Sequence, residues 1–221
     1  MTKARSPSKA RNAPAESTAE ARIVDAAWHL FAEHGLDVPL SRVARTARVS
    51  PAVMKRCFPA KKALVDRVMK KLFAARWKPE WDALLVNRKI PFQERLSRFF
   101  TEYRGNIDRS NGRLWTRAGL LGLHASGNFS ATLAQRILNP IIRELRHEAG
   151  LPASNRAVNG KEIELAMVLH GSLAFPHTRA NIFGIDVHGS FKEIAAMTVR
   201  VWLPGAKAEI RRLAASARNA R

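Results

Sequence analysis

Apolar residues recur at helical spacing from Thr18 onward. Ile23, Ala26, Ala27, Leu30 and Phe31 fall at i, i+3, i+4, i+7 and i+8, which lays one apolar stripe along a helix. Ser17 or Thr18 is the candidate cap, and Gly35 ends the helix as a C′ glycine does. The next stretch, LSRVARTARVSPAVMKRCFPAKKAL (residues 40–64), sets a sparse apolar skeleton among Arg, Lys, Ser and Thr. Two short helices joined near Arg48 and Val49 would bury Val43, Ala44, Ala47, Val49, Val53, Met54, Cys57 and Phe58. Ser50 is a good N-cap and Pro51 a good first-turn residue, because the fixed φ and missing N–H of proline cost nothing there. The pattern is a helix-turn-helix, whose second helix can enter a major groove.

A further helix is expected from about residue 61 to 77, and others near 79–86, 92–108, 111–125, 129–149, 161–183 and 188–203. Pro140 and Pro176 fall inside helical runs and are expected to kink them. No stretch alternates apolar and polar residues long enough for a strand. The fold expected is all-α: a short basic N-terminal helix-turn-helix domain and a larger C-terminal helical domain. Residues 1–17 read as a disordered basic arm, 18–64 as the helix-turn-helix domain and 65–78 as a connecting helix. Residues 79–205 read as the helical body and 206–221 as a basic amphipathic tail, frayed at its end.

Charge adds a partner. The 221 residues carry a formal net charge of +20, and such an imbalance points to a polyanion. Residues 1–78 hold 17 Lys and Arg against six Asp and Glu, a net of +11 from about a third of the chain. With the apolar positions of 40–58 buried, Ala52, Lys55 and Arg56 must face outward from the second helix. Arg42, Arg45 and Arg48 project from the first helix and the turn, and Lys61 and Lys62 open the next one. Neutralising phosphates with these groups releases counterions, which supplies much of DNA affinity. A solvated basic face is the alternative reading. No apolar run approaches the roughly 18 residues of a membrane span, so no membrane partner is expected. The single cysteine, Cys57, excludes an intramolecular disulfide framework and a Cys-based zinc site. A cytoplasmic protein without cofactor or metal fits. No nucleophile elbow, phosphate-cradling glycine loop or His-Glu-x-x-His motif speaks for an enzyme.

The segments ARIVDAAWHLFAEHGLD, RVARTARVS and FPAKKAL, over residues 21–64, resemble the TetR/AcrR family of bacterial transcriptional regulators. The resemblance implies an N-terminal DNA-binding domain and a larger all-α domain that binds a small molecule and dimerises. It also implies repression relieved by the ligand. ELAMVLHGSLAFPHTRANIFG is similar to the penultimate helix of some members, which helps to build the dimer interface. The chain departs from the family at Arg48, where a glycine is usual. A left-handed Arg there costs roughly 1 kcal/mol or more over glycine. Ala52 replaces an early glycine, Lys55 a phosphate-touching tyrosine, Arg56 and Cys57 aromatic or His positions, and Ala60 a capping Ser or Asn. The expected DNA-binding set is Arg42, Arg45, Arg48, Ser50, Pro51, Ala52, Lys55, Arg56 and Lys61. Arg56 is assigned to a base edge, because Arg reads guanine O6 and N7 bidentately.

The body is aromatic-rich, and small-molecule sites are mostly apolar with a few polar groups. Phe100, Tyr103, Trp115, Leu121, His124 and His170 are the candidate ligand-binding residues, with satisfied core residues as the alternative for each. Residues 161–183 and 188–203 are the expected dimerisation helices. The leading reading is a ligand-responsive repressor that binds a palindromic operator in double-stranded DNA as a homodimer. The alternative is a non-specific, architectural nucleic-acid-binding protein, favoured by the +9 remaining on residues 79–221.

Overall fold

A computed structural model describes residues 13–105, 109–121, 128–152 and 156–219; the described residues contain helices and no strand. The chain divides into two compact units, Met1–Ala74 with Arg113–Ala125, and Ala75–Gly112 with Ser126–Arg221.

In the first unit α1 spans Ala13–His34, α2 Leu40–Thr46, α3 Pro51–Cys57 and α4 Lys61–Arg76, and the later part of α7 (Arg109–Leu120) joins them. The stripe expected on α1 is buried, with Ile23, Ala27 and Phe31 at 1% exposure or less. It packs with Val43, Ala44, Met54, Phe58, Leu64, Val65 and Val68, and with Leu114 and Ala118 of α7. Two ion pairs fasten α4 to α1 at the surface, Arg67–Glu20 at 2.7 Å and Lys71–Asp25. Gly35 ends α1 with φ +81 and its N–H bonds to Phe31 O, as the sequence led us to expect. The start differs. α1 begins at Ala13, so residues 13–17, expected in the disordered arm, are helical, and neither Ser17 nor Thr18 is a cap. Ala13, Ala15 and Glu16 are adequate helix formers, and Ala19 is buried just beyond them. The rest of the arm lies outside the described residues.

In the second unit α5 spans Pro79–Val86, α6 Phe92–Gly105, α8 Asn128–Leu133, α9 Asn139–Glu148, α10 Gly160–Asn181 and α11 Phe191–Asn219. Leu96, Phe99, Phe100, Ile137, Ile141, Leu145, Ala166, Leu169 and Val199 form its apolar interior. A π-helical turn, Ala134–Leu138, lies between α8 and α9, and Pro140 follows it at the start of α9. A proline lacks the N–H for a helical bond and crowds the carbonyl four residues back, and the wider turn accommodates both. Asn159 and Glu162 close a capping box at the head of α10. α10 continues through Pro176 to Asn181. α11 also passes through a proline, Pro204, and ends at Asn219 rather than near residue 203. The segment expected as a frayed tail is therefore mostly the end of this helix. Ala206 and Ile210 are buried there, and Arg211 Nε donates to Ala149 O at 2.8 Å, which anchors the turns that Pro204 weakens.

Candidate nucleic-acid interface

The turn between α2 and α3 is built by backbone hydrogen bonds. Val49 N–H donates to Ala44 O at 3.0 Å and Arg48 N–H to Arg45 O at 3.1 Å. This is a Schellman closure of α2, and it requires its C′ residue in the left-handed region. Arg48 fills that place with φ 54, the one positive φ outside glycine among the described residues. Ser50 then caps α3, its Oγ accepting from Val53 N–H at 3.3 Å, with Pro51 in the first turn. Inside, Val43, Ala44, Ala47, Met54 and Phe58 are buried. Val49 and Cys57 are partly buried against that core, and Val53 is also half-buried, short of the burial expected for these three.

The basic residues take the outer side. Arg45, Arg48, Ser50, Pro51, Ala52, Lys55, Arg56 and Lys62 are exposed, and Arg42 and Lys61 are half-buried. α2 and α3 have no acidic residue in their first turns, and both carry basic residues in their last. Neither does α4 have an acid in its first turn, where Lys61 and Lys62 stand. A helix N-terminus of this kind favours an anion. Arg42 Nη2 donates to His34 Nε2 at 2.9 Å, which ties the head of α2 to the end of α1. Nothing in the apolar periodicity marked that bond, because it joins side chains on two different helices.

The candidate effector residues fare unevenly. Phe100 and Tyr103 are buried on α6, and His170 on α10 is 8% exposed. Ring centroids lie 6.5 Å apart for Phe100 and Tyr103 and 6.3 Å for Tyr103 and His170. Arg104 Nη2 donates to His170, 2.7 Å from Nε2. Burial first, and the Arg104 charge second, lower the His170 pKa to about 3, so the ring is neutral at ordinary pH. Leu121 belongs to the first unit, follows the last turn of α7 and is 58% exposed. The Trp115 side chain and His124 lie outside the described residues.

Sequence reading missed two buried ion networks in the second unit. Glu144 accepts from Arg95 at 2.8 Å and from Arg88 at 2.9 Å, with Arg95 1% exposed. Glu162 accepts from Arg146 at 2.6 Å and from Arg156 at 2.8 Å. Burial raises the pKa of both carboxyls, but the hydrogen bonds from these arginines, joined at Glu162 by the Asn159 N–H, outweigh it and hold both below the ordinary range. The Asn-x-x-Glu spacing of 159–162 is the one local signal that could have flagged Glu162.

Residues 23–68 match the family model of bacterial regulatory proteins of the tetR family. The match lies within the N-terminal unit and takes in α2, the turn and α3. No curated protein matches the chain. Among solved structures it is similar to a protein of Mesorhizobium loti MAFF303099 described as a TetR-family transcriptional regulator. That match has 15% identity and a TM-score of 0.60, and covers 86% of this chain and 96% of the other. It is also similar to Thermus thermophilus FadR, a TetR-family transcriptional repressor in complex with lauroyl-CoA. There the identity is 19% and the TM-score 0.53, with 83% of this chain and 93% of FadR covered. At such identities the likeness is one of fold, and it spans most of the chain. No described helix is long and apolar enough to cross a membrane.

Proposed function

We propose that this protein is a cytoplasmic, dimeric, effector-responsive repressor of transcription that recognises a palindromic operator in double-stranded DNA. One observation carries the reading: Arg45, Arg48, Lys55 and Arg56 stand exposed around a helix-turn-helix whose apolar side is buried. Arg56 contacts a base edge. Lys55, Arg42, Arg45, Arg48, the Ser50–Ala52 turn and Lys61 hold the sugar-phosphate backbone. The buried rings of Phe100 and Tyr103, with neutral His170, suit a small-molecule effector, and the lauroyl-CoA carried by FadR supports that class of partner. Exposed Val168 and Phe175 on α10 and Met197 and Val201 on α11 support a second copy as the other partner.

Selection from random duplexes with the full chain tests the reading. The expected product is an inverted repeat with half-sites ~34–36 Å apart, bound with an affinity that falls steeply with salt. An unenriched pool would instead mean non-specific, architectural binding. On the selected duplex, Arg56→Ala should relax discrimination at one base pair by about 1–3 kcal/mol. Lys61→Ala should weaken all sequences alike and reduce the salt slope by about 1. Equal, uniform losses in the two variants would remove Arg56 from the base contacts.

A further inference from the structure

Helix α10 turns one side away from its own unit. Glu164, Val168, Gly171, Ser172 and Phe175 are exposed on it, and Arg179 is half-buried. At about 100° per residue these six fall in a stripe roughly 100° wide. Their spacing reads four, three, one, three, four, the same from either end, with its midpoint between Gly171 and Ser172. An isologous pair of antiparallel helices places each residue opposite the one equally far beyond the two-fold axis. Such a pair sets Gly171 against Ser172 of the second copy, Val168 against its Phe175, and Glu164 against its Arg179.

Each of these pairings is chemically matched. Small residues at the crossing point let two helices approach to about 8 Å. A Cβ added to Gly171 would meet nothing within 4 Å in its own chain, so the fold of one copy does not require a glycine there. Val168 and Phe175 are 58% and 54% exposed, a large apolar area for solvent to face. Among the described residues neither Glu164 nor Arg179 forms an ion pair within the chain, and Arg179 Nε is buried without a hydrogen-bond partner.

We infer that α10 packs antiparallel on α10 of a second copy about a two-fold axis between Gly171 and Ser172, with a Glu164–Arg179 ion pair closing each end. The inference rests on the dimer in the proposed function and adds its register. In sedimentation equilibrium of the full chain, E164R and R179E should each weaken the dimer about tenfold or more, by setting like charges together. E164R/R179E should return to within about threefold of the parent, because reversing both ends restores the attraction. G171L, which one copy accommodates, should separate the helices and give monomer, with the helical melt of the monomer preserved. On a C57S background, S172C should oxidise rapidly to a covalent dimer. A dimer that ignores the single reversals and G171L, or a double variant as weak as either single, overturns the register alone. A chain monomeric at every concentration overturns the register and the dimer together, and in both cases the duplex selection reports separately on DNA recognition.

Discussion

The two units keep their charges in opposite places. In the N-terminal unit the guanidinium and ammonium groups of Arg45, Arg48, Lys55 and Arg56 stand in solvent over an apolar interior. Its Arg67–Glu20 pair is about half exposed. In the C-terminal unit Arg95 and Glu144 are buried together, as are Arg146 and Glu162. A surface proposed to meet phosphates gains by holding its cations in solvent. An interior ion pair constrains packing, since a charge buried away from its partners is strongly destabilising. The outer charges are thus open to a polyanion, and the inner ones join α9 to α6 and to α10.

Removing one charge from each place should separate the two roles most widely. Glu144→Ala takes from buried Arg95 its hydrogen-bonded carboxylate and leaves only Glu148, 3.8 Å away, and chemical denaturation should show a loss of about 3–5 kcal/mol. Glu20→Ala, at the surface pair, should cost no more than ~1 kcal/mol. Equal losses at the two sites would dissolve the contrast.

Acid should probe the C-terminal unit more gently. His170 has a folded pKa of about 3 against an ordinary value of about 6.5. Between these values only the unfolded chain takes the proton, so stability falls as pH falls through that window. The slope is at most about 1.4 kcal/mol per pH unit. Glu144 and Glu162, whose pKa values are lowered from 4.5, contribute stability above that value and lose it only as the pH drops below. The slope of denaturation midpoints against pH between pH 7 and pH 5 should therefore flatten in His170→Gln and stay unchanged when Glu144 or Glu162 is replaced.

The smallest effect comes from the turn. Arg48→Gly relieves a left-handed φ of 54 and should stabilise the chain by about 1 kcal/mol. The same change removes an exposed cation, so operator affinity should fall while the melting temperature rises. A fall in both would mean that the Arg48 side chain supports the turn.

How much of this was visible in the chain itself follows the range of the forces. The α2–turn–α3 unit is determined within about twenty residues: Ser50 caps, Pro51 starts a helix, Gly35 ends one, and the apolar positions recur at fixed intervals. Lys55 and Arg56 were legible as outward-facing because their neighbours Met54 and Phe58 had to be buried. Arg95 was not, since an arginine on an amphipathic helix looks like a solvent-facing residue until Glu144, 49 residues later, is placed beside it. The exposure of Leu121 has no local sign for a related reason: helical phase gives the face of a residue but not what that face meets. The full length of α11 is not legible locally, because the long-range hold of Arg211 on Ala149 has no local sign.

The π-turn at Ala134–Leu138 acts as an inserted letter in an otherwise regular line. It holds one residue more than an α-turn would need, so everything downstream is rotated by about 100° from the phase set upstream. Ile141, Ile142, Glu144 and Leu145 are buried in that shifted phase. Losing a single residue between 134 and 138 would straighten the line and swing Glu144 away from Arg95, so this five-residue stretch has a fixed length even where its side chains are free to vary.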